Sequence, residues 1–301
     1  MELNDIVTKN FESYADVAAD IVNALLHEGT VVVTGEEMLT AATESLYADS
    51  TNTLHNQLED VAKYHVTGGM PRALFLFANQ TKVDKGMILR KAGYIGGEYR
   101  RQYEKQNHVL YPVIELVLYW GTTRWKGCCN LRQLIDGGKG KIVETTWKYV
   151  DDMQLHVWEM RYLPKEIRER FHSDMRIVLD YLAEGNAYRS DRKVIHKEAT
   201  IKMLRVLSGD KNVDDTKEIL KGLDITEEDE ISMCELFDQY TRRGISRGII
   251  IMCKDFNATY EDTLQKLKNK LNISEKEAEE QMKFDFGDDS SDESAISNEE
   301  K

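Results

Sequence analysis

Residues Arg72 to Asp84 read RALFLFANQTKVD, and no other stretch restricts the fold as strongly. The apolar run through Phe77 reads as a buried strand. It breaks at Ala78-Asn79-Gln80 into a polar, charged turn followed by a glycine-spotted helix. Side chains alternate along a strand, so Ala78 and Gln80 share one face and Asn79 points the other way. Eighteen residues before Ala78, Asp60 lies in LEDVAKY, a segment that reads as the neighbouring strand. The two strands meet as a hairpin through His65-Val66-Thr67-Gly68-Gly69-Met70-Pro71.

The rest of the chain supplies the layers for such a hairpin. The spacing of Phe11, Tyr14, Val17, Ala18, Ile21, Val22, Leu25 and Leu26 predicts one amphipathic helix over 8–28, stopped by Gly29. Residues 30–33 are a short β-branched run, Glu36 to Ala41 read as a helical turn, and Tyr47 to Asn56 as a polar connection. A helix over about 86–106 leads to a third strand, Tyr111 to Tyr119, in which Glu115 is an acid on a buried strand. Strand, helix, strand with so long a crossover predicts a parallel pair with a right-handed connection, hence an α/β core. One more strand is expected within 147–162, then helices from Lys165, over 176–182 and over 196–207. From about residue 213 the chain is helical and differently built. A long helix from Ile231 to Cys253 is expected to be interrupted at Gly244 and Gly248, and Ser274-Glu275-Lys276-Glu277 opens a last helix as a capping box. Three parts are expected: a core over 1–210, a helical module over 211–283, and an acidic disordered tail over 284–301.

Charge and cysteine usage narrow the function classes. The formal charge of −13 is unlike a nucleic-acid binder's basic footprint, but residues 284–301 hold seven acids against one lysine, leaving −7 for residues 1–283. Basic groups gather behind the hairpin: Lys82, Lys85, Arg90, Lys91, Arg100 and Arg101, then Arg124 and Lys126 after the third strand. Cys128, Cys129, Cys234 and Cys253 have neither C-x-x-C nor Cys/His zinc spacing, so no structural zinc is expected. No stretch reaches the roughly 20 apolar residues of a membrane span, and no secretory signal is apparent, so the chain is expected in the cytoplasm. A small-molecule enzyme is the weakest class, since no glycine-rich phosphate loop or nucleophile motif is present.

An acid followed at hairpin distance by a strand ending in X-x-Gln resembles the PD-(D/E)XK nucleases. More narrowly, LEDVAKY, ANQTKVDKGMILRKAGYIGGEYRRQ and YPVIELVLYWG together resemble the Rpn-type recombination-promoting nuclease and transposase family, whose members usually read E-N-Q-T or E-H-Q-S at the Ala78 position. The resemblance covers most of residues 10–180. It implies a PD-(D/E)XK-like mixed sheet flanked by helices, and a metal-dependent DNA endonuclease acting in recombination or in defence against mobile DNA.

Carried over residue by residue, the resemblance assigns Asp60 as a ligand for Mg²⁺ (or Mn²⁺) and Gln80 as the residue that orients the attacking water. Ala78 stands where the second carboxylate belongs. An alanine methyl cannot ligate Mg²⁺, which takes hard oxygen donors, so this chain is expected to be inactive or impaired. Asp16 or Asp20 on the first helix is a candidate for an additional acid, and the spacing does not choose between them. Lys82, Arg90, Tyr94 and Arg100 are the candidate phosphate contacts, and His65 is a turn histidine close to Asp60. DNA is the expected partner, with a homodimer through the C-terminal helices. The alternative is a non-catalytic DNA-binding or protein-interaction module that kept the nuclease fold.

Overall fold

The computed structural model describes residues 3–41, 44–48, 54–58, 60–104, 109–136, 143–210, 213–256 and 258–286. They divide into two compact units, Met1–Tyr188 with Ala199–Lys211, and Arg189–Glu198 with the chain from Asn212 onward.

The first unit opens with two helices, α1 (Leu3–Ser13) and α2 (Ala15–Leu26), where the apolar spacing predicts one. Tyr14 is extended (φ −64°, ψ 132°) and separates them. The break serves packing: α1 touches the central strands, whereas α2 touches the sheet edge and two later helices. A 3₁₀ turn at Gly35–Glu37 then leads into a short strand, β1 (Met38–Thr40), in place of the helical turn expected over 36–41. Of the stretch expected as a polar connection over 47–56, Tyr47 and Ala48 close β2 (Glu44–Ala48), Leu54 to Asn56 open β3 (Leu54–Leu58), its antiparallel partner, and 49–53 lie outside the described residues.

The central hairpin is β4 (Val61–Thr67) and β5 (Met70–Gln80), whose strands take in most of the turn expected over 65–71, while Asp60 falls just before β4. Its two-residue turn is Gly68-Gly69 with φ of 61° and 75°, a left-handed pair that glycine adopts without steric cost. α3 (Met87–Glu104) crosses over to β6 (Val113–Tyr119), which pairs parallel to β5 from Leu74↔Val113 to Gln80↔Tyr119. Gln102 Oε1 accepts from the Tyr111 amide and Tyr99 Oη from the Val113 amide, fixing the end of α3 to the start of β6.

After α4 (Leu131–Asp136), the strand expected within 147–162 shrinks to β7 (Val157–Glu159), flanked by 3₁₀ turns at Glu144–Tyr149 and Met160–Tyr162. The sheet is therefore mixed and five-stranded, in the order β1-β4-β5-β6-β7. Short helices α5 (Lys165–Arg168) and α6 (Met175–Glu184) follow, then α7 (Lys197–Leu207).

The sheet buries both faces. Ala62, Leu74, Leu76 and Val113 pack with Tyr94 of α3, and Ala78 and Val117 continue that face against Met87 and Ile88. On the other face Lys63, 2 % exposed, donates from Nζ to the Ser13 carbonyl (2.6 Å) and to Thr40 Oγ1 (3.0 Å). That contact answers one of the carbonyls left open where α1 ends, and burial holds the Lys63 ammonium below its usual pKa.

The second unit contains α8 (Thr216–Gly222), α9 (Met233–Asp255), α10 (Tyr260–Leu271) and α11 (Glu275–Phe286). Ile250, Leu267, Ala278 and Met282 form its core. α9 runs uninterrupted through Gly244 and Gly248. Each glycine in a helix interior costs about 1 kcal/mol relative to alanine, less than the burial of Leu236, Tyr240, Ile250 and Cys253 returns. The capping box at Ser274 is present: the Ser274 amide donates to Glu277 Oε2 (2.8 Å) and the Glu277 amide to Ser274 Oγ (3.3 Å). Of the segment expected to be an acidic tail, α11 takes the first residues through Phe286, and 287–301 lie outside the described residues. No described helix is long and apolar enough to cross a membrane, and all four cysteines are free thiols.

Candidate functional site

The hairpin register decides what can meet at the end of β5. Val61 pairs with Phe77, so Asp60, at a bend one residue before β4, falls opposite Ala78. Asp60 Oδ2 accepts from the Asn79 amide at 2.5 Å, and Oδ1 forms an ion pair with Lys9 Nζ of α1 at 2.8 Å. Asp60 and Gln80 are thus brought to the same end of the hairpin with Ala78 between them. Gln80 is half-buried and its carbonyl accepts from the Trp120 amide (2.8 Å).

Ala78 is fully buried among Met87, Ile88, Val117 and Leu155, with Trp125, Cys128 and Met153 close by. A carboxylate there would face carbon and sulfur. The donor set does not fit a Mg²⁺ site: position 78 offers no oxygen, and the one carboxylate opposite it is engaged by an ammonium and an amide. Among the described residues no group of three His, Cys, Asp or Glu side chains is placed to hold a metal ion.

The other sequence-predicted residues are spread over the unit. Asp84 receives the Gly86 amide (2.8 Å) and pairs with Arg90 (3.2 Å), so Arg90 is tied to the start of α3. Lys82 is exposed just beyond β5. Tyr94 is 5 % exposed in the core under α3, whereas Arg100 is exposed near the helix end. Asp16 is half-buried on α2. Asp20 accepts the His172 amide (2.9 Å), the Ser173 amide (2.8 Å) and Ser173 Oγ (2.6 Å), so its carboxylate anchors the turn before α6. Asp20→Ala is expected to lower the unfolding free energy by about 2 to 4 kcal/mol, because buried charge-assisted donors lose their acceptor. A change below about 1 kcal/mol in urea unfolding, the level of an ordinary surface substitution, would sink that assignment.

The strongest polar arrangement is one that the motif does not name. Asn79, 6 % exposed, points to the α1 face. Its Nδ2 donates to Glu12 Oε2 (2.6 Å) and its Oδ1 accepts from Trp120 Nε1 (2.7 Å). Glu12 is fully buried and its second oxygen has no hydrogen-bond partner. Burial pushes its pKa up to about 8, helped by the nearby Asp60 charge and opposed by the Asn79 hydrogen bond and by Lys9. On the opposite face Glu115, 1 % exposed, also lacks a hydrogen bond on both oxygens. Burial raises its pKa to about 7 against the pull of Lys91 and Arg90. Lys91 Nζ donates to the Gln154 carbonyl (2.6 Å), and burial lowers its own pKa. The signal for Glu12 lay in the apolar spacing of α1, where an acid follows directly on Phe11, on the packed side of the helix.

A five-stranded mixed sheet flanked by helices, with a hairpin acid opposite a strand end and a crossover helix behind it, makes the first unit a mixed α/β core. The chain belongs to the family described as "Putative transposase, YhgA-like", whose model matches residues 4–212, a family of the Rpn, PD-(D/E)XK-like transposase group. Neither a curated protein nor a solved structure matches the chain.

Proposed function

We propose that this chain has the PD-(D/E)XK fold of metal-dependent DNA endonucleases that act in recombination or in defence against mobile DNA, and that its own cutting step is disabled at position 78. The carrying observation is the hairpin end itself. Asp60 and Gln80 lie at one end of the hairpin with Ala78 between them in an apolar cluster, which supports reading the first as a former metal ligand and the second as a water-orienting amide. In a site with two carboxylates, Mg²⁺ or Mn²⁺ would supply a bound water of lowered pKa and positive charge for the scissile phosphate, and this chain retains Asp60 alone of that pair. Here DNA binding is what remains, through Lys82 and the neighbouring basic residues, in the cytoplasm. A second reading, a protein-interaction module without DNA affinity, is favoured by one feature: the Lys9 ion pair already neutralises Asp60.

The deciding experiment is cleavage of plasmid and single-stranded DNA in Mg²⁺ and in Mn²⁺, together with salt-dependent DNA binding. The chain itself is expected to bind DNA without cutting it, and cutting by Ala78→Glu that is lost on adding Asp60→Ala would show that position 78 is what disables the site. A carboxylate at position 78 meets apolar surroundings and costs stability, so each variant is first checked for cooperative thermal unfolding. Cutting by the unaltered chain would overturn the disabled-site claim. A folded Ala78→Glu variant that neither cuts nor binds metal, in a chain that does not bind DNA, leaves the interaction-module reading.

A further inference from the structure

The outward face of α3 has the features of a self-complementary seam. Leu89, Gly93, Gly96, Arg100 and Tyr103 recur at alternating four- and three-residue spacing and are all exposed. That is the repeat with which one helix keeps a continuous stripe towards another. At its centre, a Cβ added to Gly96 would meet nothing within 4 Å, so a second backbone can approach closely there. At its N-terminal end a cavity of about 400 Å³ opens beside Leu89 and Ala92, lined by Leu131, Met153, Asp151 and Asp152, the Asp152 carboxylate accepting from the Arg132 amide (2.9 Å) and from Gln154 (3.2 Å). At its C-terminal end stand Arg100 and Tyr103, the latter 63 % exposed. Neither Arg100 nor Asp151 takes part in an ion pair among the described residues.

We propose that α3 is the seam of a homodimer in which two copies cross antiparallel at Gly96. The two ends of the face carry opposite charge and opposite shape, an acidic hollow at one and a basic knob at the other. Such a face complements itself only when reversed, which is the condition for a two-fold interface. With Gly96 on the axis, Tyr103 of each copy meets Leu89 at the mouth of the other's cavity, and Arg100 meets Ala92 beside Asp151 and Asp152. Seven residues separate Gly96 from each of Leu89 and Tyr103, about 10 Å along the helix, so both ends engage in a shallow crossing. Cavities of this size accept an aromatic side chain, and a tyrosine with an adjacent arginine–carboxylate pair is the chemistry of an interface anchor. The inference stands apart from the reading of the hairpin site.

Sedimentation of the full chain across a dilution series, at low and at high salt, tests it. The expected result is a dimer that weakens as salt rises. Gly96→Glu and Arg100→Asp each weaken it by about tenfold or more, and Arg100→Asp combined with Asp151→Arg recovers most of the loss. All three positions are exposed, so the variants are expected to fold, with thermal unfolding as the control. A chain that is monomeric throughout overturns the proposal. So does self-association that survives both single substitutions, or a charge swap that is no better than Arg100→Asp alone.

Discussion

Asn79→Ala is expected to lower the unfolding free energy by about 3 to 5 kcal/mol, more than any other single truncation at the hairpin end. Each buried group left without a partner costs about 1 to 3 kcal/mol, and this substitution orphans two: Glu12 Oε2 and the Trp120 indole N–H. The backbone contact with Asp60 survives, because it uses the amide of residue 79 and not its side chain. Urea unfolding measures the loss, and Trp120→Phe supplies the double-mutant cycle. If the two changes share the indole hydrogen bond, their effects add to less than the sum of the singles. Strict additivity, or a loss below about 1 kcal/mol, would mean that the Glu12–Asn79–Trp120 chain does not hold α1 to β5.

Glu12→Gln is expected to stabilise the protein at alkaline pH and to remove most of a downward slope in its stability. The folded carboxyl keeps its proton up to about pH 8, whereas the unfolded one ionises near 4.5. Its contribution is therefore full below the unfolded value and is lost as pH rises through the folded one. Integrated over that interval the loss approaches about 5 kcal/mol. Glutamine keeps an oxygen for Asn79 and carries no charge at any pH, so the variant and the parent should agree near pH 4, diverge as pH rises from about 4.5 to about 8, and keep a constant difference above that. Glu115 acts in the same direction over a narrower range, since its folded value is about 7, and leaves a residual slope in the variant. Parallel curves for parent and variant would show that Glu12 is ionised in the folded state.

The parts of the fold that are legible in the sequence are those written in local periodicity. The apolar run of β5, the paired glycines of the turn and the long crossover to β6 define the hairpin and the parallel pair before any tertiary contact is considered. Elements decided by distant partners are not legible in that way. The break at Tyr14 exists because α1 and α2 pack on different targets. β7 is only three residues long because its pairing with β6 stops at Glu159. At the candidate site, the motif fixes the neighbourhood of Asp60, Ala78 and Gln80 but is silent on Asn79, whose importance comes from partners 67 and 41 residues away. Asp20 likewise reads as a possible ligand from its helix and serves instead as an anchor for a turn far along the chain.

That anchor also bears on how the protein acquires its shape during synthesis. The carboxylate of Asp20 and the amides it receives are separated by 152 and 153 residues. Closing so long a loop early is entropically unfavourable, and the segment carrying His172 and Ser173 leaves the ribosome long after α2. The N-terminal helices must therefore wait, with their apolar sides uncovered, while the strands and α3 are made. This is the interval in which an α/β chain is most exposed to mispairing and to chaperone capture. The Asp20 latch cannot close before His172 and Ser173 have been made, so α2 is held to the turn before α6 only late in synthesis.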